Sequence, residues 1–122
     1  MLITAQYLRD HPDHVFVFGD NAVRRGKGGA AALRDEPNTF GFITKKLPMR
    51  HDEAFYRPQE YQTVFQGEKM RLEAEIRKNP GKTYLVSKVG SGLASRFGIW
   101  EEVIRDGLKS LKGYPNVAFL YA

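Results

Sequence analysis

The sequence of 122 residues contains no cysteine and only three histidines. The absence of cysteine excludes disulfides and thiolate metal sites, and it fits a reducing compartment, so we expect a cytoplasmic protein. A zinc site would need carboxylates to complete it, and the pair His11 and His14 is better explained as the exit of a short helix. The sequence therefore predicts no metal and no resident cofactor.

Long apolar runs are also missing. No stretch is long enough to span a bilayer, and the first residues lack the charged-then-apolar pattern of a signal peptide, so we expect no membrane partner. The length predicts one compact domain over residues 1–122. A net charge of +5 favours an anionic partner, which is either a phosphorylated small molecule or a nucleic acid.

Buried-strand composition alternates with amphipathic patterns along the chain, which predicts an α/β fold with a mainly parallel or mixed sheet. The four predicted strands cover residues 15–18, 39–44, 83–89 and 116–121. The four predicted helices cover residues 5–10, 29–36, 58–78 and 98–111. Residues 45–60 show no period and predict a long connection.

Two glycine-rich loops each join a predicted strand to a predicted helix. The first loop, residues 19–29, carries Arg24, Arg25 and Lys27, and the second loop, residues 90–97, carries Arg96. Glycine lets the backbone approach a ligand closely, and a following helix directs free amides at it. If both strands are parallel, the two loops lie at the same edge of the sheet. The sequence therefore predicts that they line one crevice for an anion.

Named phosphate motifs fit the first loop poorly. Gly26, Gly28 and Ala31 match a dinucleotide-binding pattern in spacing, but the first glycine lies beyond the turn and no acidic residue ends the next strand. A Walker A loop needs serine or threonine after its lysine, whereas Gly28 follows Lys27. Neither motif explains the loops.

The segments "VFVFGDNAVRRGKGGAAALR" and "YLVSKVGSGLASRFG", with the strand "FGFITK" between them, together resemble macro-domain-like proteins, in particular short bacterial and phage members. The resemblance implies a single three-layer α/β/α macro-like domain with a mixed, mainly parallel central sheet. It also implies binding of ADP-ribose or a related nucleotide diphosphate. Residues 45–60 have no counterpart in this resemblance.

The resemblance assigns expected roles by position. Asn21 corresponds to the ribose-side asparagine, and Gly26, Gly28 and Gly29 correspond to the first ligand loop. The residues expected to wrap the diphosphate are Gly90, Ser91, Gly92, Leu93 and Ala94.

The polar residues near these loops each have a functional and a structural interpretation. Asn21 orients a ribose hydroxyl or shapes a turn, and Asp20 acts as a base or caps a turn. Lys27 neutralises phosphate, attacks a sugar carbon or remains solvated. The candidate catalytic residues are thus Asn21, Asp20 and Lys27. The further candidate ligand-binding residues are Gly19, Arg24, Lys88, Arg96 and Phe97, and Phe97 either stacks on a base or plugs the core.

Three functions remain open from the sequence. The first is a module that binds an ADP-ribose-like small-molecule nucleotide without turnover. The second is an ADP-ribosyl or nucleotide-derivative hydrolase on the same fold. The third is a small basic nucleic-acid-binding protein whose loops contact backbone phosphates.

Overall fold

A computed structural model describes residues 2–121 of the chain. Its centre is a four-stranded sheet in the order β2-β1-β3-β4, built from β1 (His14–Asn21), β2 (Thr39–Lys45), β3 (Thr83–Val86) and β4 (Val117–Phe119). All three strand pairings are parallel. The predicted α/β fold is therefore confirmed.

The expectation of a mixed sheet is wrong for the part of the chain that the structure describes. Each connection leaves one end of the sheet, passes over a face and returns to the opposite end, where the next strand begins. Neighbouring strands therefore run in the same direction. The one antiparallel pairing among residues 2–121 is an isolated bridge between Lys45, the last residue of β2, and Phe55.

One face of the sheet is covered by the two longest helical segments. The helix α2 (Pro58–Lys78) begins with proline at its first position, and the Arg57 amide donates to the Glu60 carboxylate at 2.9 Å. Four apolar residues of α2 fall on one face of the helix, as their spacing in the sequence predicts. They are buried and pack on the sheet: Tyr61, Phe65, Leu72 and Ile76. The helix ends where Asn79 and Pro80 follow.

The segment predicted as one helix over residues 98–111 consists of three short helical pieces. A π-helical turn (Trp100–Ile104) leads into α3 (Arg105–Gly107) and then into a 3₁₀ turn (Lys109–Gly113). The large apolar residues of this segment are nevertheless buried. Because Gly107 has no side chain, the segment can lie directly on α2, where a Cβ at Gly107 would overlap the Phe65 ring. This close contact is tertiary, and the local sequence does not encode it.

The opposite face is covered by shorter elements. The helix α1 (Ala5–Asp10) begins at Thr4, whose hydroxyl accepts from the Tyr7 amide at 3.0 Å, and it buries Leu8 against Leu85. The predicted helix 29–36 is wrong beyond one 3₁₀ turn (Gly29–Ala31), since Gly29 has a φ of 51° and Pro37 follows closely. The three-layer macro-like arrangement stays a prediction.

The outer edge of β2 is closed by side chains of α2. The Ile43 amide donates to the buried Glu68 carboxylate at 2.7 Å, and the Tyr61 hydroxyl donates to the Ile43 carbonyl at 2.6 Å. Arg71 donates to the Gly41 carbonyl. Burial, and secondarily the charge of Glu68, raises the pKa of Tyr61, so this hydroxyl keeps its proton. Side chains thus replace a neighbouring strand at this edge.

Candidate functional site

A cavity of about 620 Å³ opens at the carboxyl ends of the two central strands. The chain leaves β1 toward β2 on one side and leaves β3 toward β4 on the other, so the strand order reverses between β1 and β3. Parallel α/β sheets bind their ligands at such a point. The structure brings the first and second loops together along this one cavity, as their placement after parallel strands predicts.

Most of the expected site residues line the cavity. From the first loop these are Gly19, Asp20, Asn21, Gly26, Gly28 and Gly29. From the second loop and the residues before it they are Lys88, Gly90, Ser91, Gly92, Leu93 and Ala94. The cavity lining does not include Arg24, Lys27, Arg96 or Phe97.

Both loops contain backbone amides that donate to no protein group among residues 2–121. In the first loop, within residues 2–121, the amides of Gly26, Gly28 and Gly29 donate to no protein group. The same holds, over that part of the chain, for Gly90 and Gly92 in the second loop. Free amides that converge from two loops are the donors that proteins use to hold phosphate oxygens.

Two glycines fix the place where the loops meet. Gly90 has a φ of 75°, and a Cβ there would lie 2.5 Å from Cδ1 of Ile104. A Cβ at Gly19 would lie 3.3 Å from the Thr44 hydroxyl and 3.6 Å from the Gly90 nitrogen. By contrast, a Cβ at Gly28 or Gly92 would meet nothing within 4 Å. The fold therefore leaves room for a side chain at each of these two positions.

The Asn21 side chain is used to shape the first loop. Its Nδ2 donates to the Arg25 carbonyl at 2.7 Å, and its Oδ1 accepts from the amides of Val23 at 3.2 Å and Arg25 at 3.4 Å. This is the turn-forming arrangement typical of asparagine. One hydrogen of Nδ2 remains for a ligand.

The Asp20 carboxylate is buried and surrounded by donors. Both terminal guanidinium nitrogens of Arg34, Nη1 and Nη2, donate to it, Arg24 donates at 3.1 Å, and the Asn21 amide donates at 2.8 Å. A carboxylate offers about four lone-pair sites, and these contacts occupy them. Asp20 therefore stabilises the fold of the loop. Its carboxylate has no free lone pair with which to accept a proton as the expected base.

Arg24 and Lys27, expected at the ligand, make contacts elsewhere. Arg24 has a φ of 54° and donates to Asp20 and to the Gly41 carbonyl at 3.2 Å, toward the β2 edge. Lys27 is exposed and pairs with Asp35. Its ammonium has a carboxylate partner outside the cavity, which argues against the expected nucleophilic role.

Arg96 and Phe97 support the second loop from behind. Arg96 pairs with Asp52 at 2.9 Å and donates to the Arg50 carbonyl at 3.3 Å. The guanidinium of Arg57 stacks on the Phe97 ring at 4.0 Å from its centroid. Neither side chain reaches the cavity lining, since both bind the segment before α2.

A third wall of the cavity was not predicted from the sequence. Its residues come from the end of β2 and the following segment: Thr44, Lys45, Pro48 and Arg50. Lys45 donates to the Met49 carbonyl at 2.8 Å, and its ammonium lies 4.9 Å from the Phe55 ring centroid. Burial, and secondarily the charge of Arg50, lowers the pKa of Lys45. The position of Lys45 could have indicated this wall, because Lys45 ends a strand that is parallel to β1 and so lies at the same end of the sheet as the first loop.

Three further cations of the cavity lining have no acidic partner. Within residues 2–121, no carboxylate lies within 4.0 Å of the charged groups of Arg25, Arg50 or Lys88. The ammonium of Lys88 lies 5.2 Å from the Trp100 ring centroid, which is a cation–π distance. This contact uses none of its hydrogens, so they can be donated to an anion. The site therefore has an excess of positive charge.

A second, more apolar cavity of about 420 Å³ adjoins the first, which is the larger cavity of this adjoining pair. The two cavities share five residues in their walls: Phe16, Gly29, Ala30, Ser87 and Lys88. The second cavity is otherwise lined mainly by apolar residues: Leu2, Ile3, Ala32, Leu33, Leu120 and Tyr121. A ligand with a charged middle and a flat apolar end would have room for both parts.

The sequence profile of a family of unknown function (DUF7831) matches residues 1–95 of the chain. The chain belongs to this family. No curated protein matches it, and no solved structure matches it. The matched part contains every residue that lines the larger cavity, from Phe16 to Ala94. Since the family's description gives no function, the macro-domain resemblance stays a prediction.

Proposed function

We propose that this protein binds a nucleotide diphosphate of the ADP-ribose type in the larger cavity. The observation that carries the proposal is that both loops line one cavity, where the strand order reverses, with glycines whose backbone amides donate to no protein group among residues 2–121. A diphosphate needs donors from more than one side, and two loops supply them. Macro-like three-layer architecture is part of this proposal.

The rest of the ligand is accommodated by the neighbouring groups. Arg25 and Lys88 lie in the cavity lining and neutralise the phosphates. The base enters the second cavity beside Phe16. Phe55, which is buried in the core, has no part in base stacking.

Binding without turnover is the form of the proposal that the geometry favours over hydrolysis. Among the described residues that line the larger cavity, Asp20 is the one carboxylate, and protein donors occupy its oxygens. A hydrolase needs a group positioned to activate water. Release of free ADP-ribose from an ADP-ribosylated protein by the purified chain would instead support the hydrolase.

Isothermal calorimetry with ADP-ribose tests the proposal directly. The wild-type chain and the variants Gly28→Val and Gly92→Val are titrated at about 50 and about 200 mM salt. We expect saturable binding with modest salt dependence for the wild type, because neutral amides contribute much of the affinity. Both variants should lose binding and keep their melting temperature, since a Cβ at either position meets no protein atom within 4 Å.

Nucleic-acid binding is the second candidate, and the unpaired cations Arg25, Arg50 and Lys88 favour it. A single-stranded RNA oligonucleotide is therefore titrated under the same two conditions. Binding of RNA that falls steeply with salt, together with no heat from ADP-ribose, would overturn the nucleotide proposal.

A further inference from the structure

The third wall is a closed loop fixed at its base. The segment 45–55 returns on itself through the bridge between Lys45 and Phe55, and the Lys46 amide donates to the Ala54 carbonyl at 2.8 Å. Phe55 anchors the returning end because it is almost fully buried. The loop therefore holds its residues at a defined place beside the cavity.

Arg96 ties this wall to the second loop. Its guanidinium pairs with Asp52 at 2.9 Å and donates to the Arg50 carbonyl at 3.3 Å. The backbone of Arg50 is thereby fixed relative to the amides of the second loop.

Lys45 and Arg50 bring two positive charges to the same wall. Both line the cavity, and the charge of Arg50 contributes to the lowered pKa of Lys45, so the two cations repel each other. Lys45 uses one ammonium hydrogen on the Met49 carbonyl and keeps two. Arg50 donates to no protein group within residues 2–121. An anion between them would relieve the repulsion and use these donors.

The positive charge of the lining exceeds what a diphosphate requires. Arg25 belongs to the first loop and Lys88 precedes the second, and the lining carboxylate, Asp20, is already neutralised by Arg34 and Arg24. Two cations suffice for the two charges of a diphosphate diester. Lys45 and Arg50 are then left for another group.

We propose that Lys45 and Arg50 bind a third anionic group of the ligand, a phosphate beyond the diphosphate. This inference rests on the proposed nucleotide site and names the ligand class more closely. The third phosphate comes either from a triphosphate chain or from a phosphate on the far sugar of an ADP-ribose-type ligand. The shared chemistry is a dianionic phosphate group between an ammonium and a guanidinium.

Paired titrations distinguish these sources. ADP is compared with ATP, and ADP-ribose with ADP-ribose phosphorylated on its terminal ribose, in calorimetry at constant ionic strength without divalent cations. We expect one phosphorylated member to bind about tenfold more tightly than its partner, as one charge-assisted contact provides. The pair that shows the difference identifies the source.

Arg50→Gln and Arg105→Gln form a matched pair of variants. Both remove one charge from an exposed arginine, but Arg105 lies on α3 and does not line the cavity. Arg50→Gln should abolish most of the preference for the third phosphate and retain diphosphate binding, whereas Arg105→Gln should keep the preference.

Equal affinity within both pairs, or an equal loss of preference in the two variants, would overturn this inference and leave the nucleotide proposal standing. If no nucleotide of either pair binds the wild-type chain, both proposals fail together. Thermal unfolding of the two variants checks that each retains the wild-type fold.

Discussion

Asp20 shows how a residue in a ligand loop can serve the fold. Replacing Asp20 with Asn leaves the guanidinium of Arg34, which is 16% exposed, without its anionic partner. We expect the free energy of unfolding to fall by about 3 kcal/mol, because removing one partner of a buried pair leaves an uncompensated charge. Urea denaturation measures the change. A loss below about 1 kcal/mol would place Asp20 in the range of an exposed ion pair.

Asn21 offers a test of ribose recognition at the same scale. Its side chain makes three bonds to the backbone of the first loop, so Asn21→Ala should disturb the loop as a whole. We expect the affinities for ADP and for ADP-ribose to fall by the same factor in calorimetry. A selective loss of ADP-ribose affinity would instead assign the remaining Nδ2 hydrogen to the distal ribose.

Lys45 gives the binding of phosphate a dependence on pH. Burial, then the charge of Arg50, lowers its pKa from 10.5, so its ammonium loses its proton at a lower pH than an ordinary lysine. Affinity for the third phosphate should therefore fall as pH rises from about 8 to about 10, where phosphate charge is constant. Lys45→Arg should keep its affinity across this range, because guanidinium stays charged. An equal fall in affinity for the third phosphate in the wild type and in Lys45→Arg would contradict this role of Lys45.

Two glycines in helical elements allow the effect of helix propensity on stability to be measured separately from the effect of packing. Gly67 lies on α2 with open space around its Cα, whereas a Cβ at Gly107 would overlap the Phe65 ring. We expect Gly67→Ala to raise the free energy of unfolding by about 0.5–1 kcal/mol. Gly107→Ala should lower it by about 1–3 kcal/mol through overpacking. Denaturant titration of the two variants checks both signs, and a stabilising Gly107→Ala would show that the helical segments adjust without cost.

Elements with a strong local pattern were predictable from the sequence, and those set by tertiary contacts were not. The apolar stripe of α2 specifies its buried face, and the helix has the predicted bounds. The C-terminal segment departs from a regular helix, and the contact of Gly107 with Phe65 links residues far apart in sequence. The glycine loops were visible as local patterns, whereas the third wall depends on a bridge between Lys45 and Phe55.

The same distinction explains the cations of the site. Arg24, Lys27 and Arg96 stand in or beside glycine-rich sequence, which suggested ligand contacts. Their partners Asp20, Asp35 and Asp52 are set by the folded chain, and they draw these side chains away from the cavity. Charge in a loop therefore predicted the sign of the site's potential better than it predicted which side chains supply it.

At the scale of the whole molecule, the part outside the family match supports the part inside it. All residues that line the larger cavity fall within residues 1–95, whereas the π-helical turn and β4 lie beyond them. Ile104 from this later part lies directly beneath Gly90, where it fixes the backbone of the second loop. The geometry of the loop thus depends on residues that do not touch the cavity.

The closed outer edge of β2 also determines how copies of this chain can associate. Glu68, Tyr61 and Arg71 bond to the Ile43 amide, the Ile43 carbonyl and the Gly41 carbonyl in the middle of that edge, whereas no described strand pairs with the outer edge of β4. A fibre grows by edge-to-edge addition only if each copy offers two open edges. With the β2 edge covered, two copies that joined their β4 strands would present only covered edges, so sheet extension would end at a dimer rather than propagate into a filament.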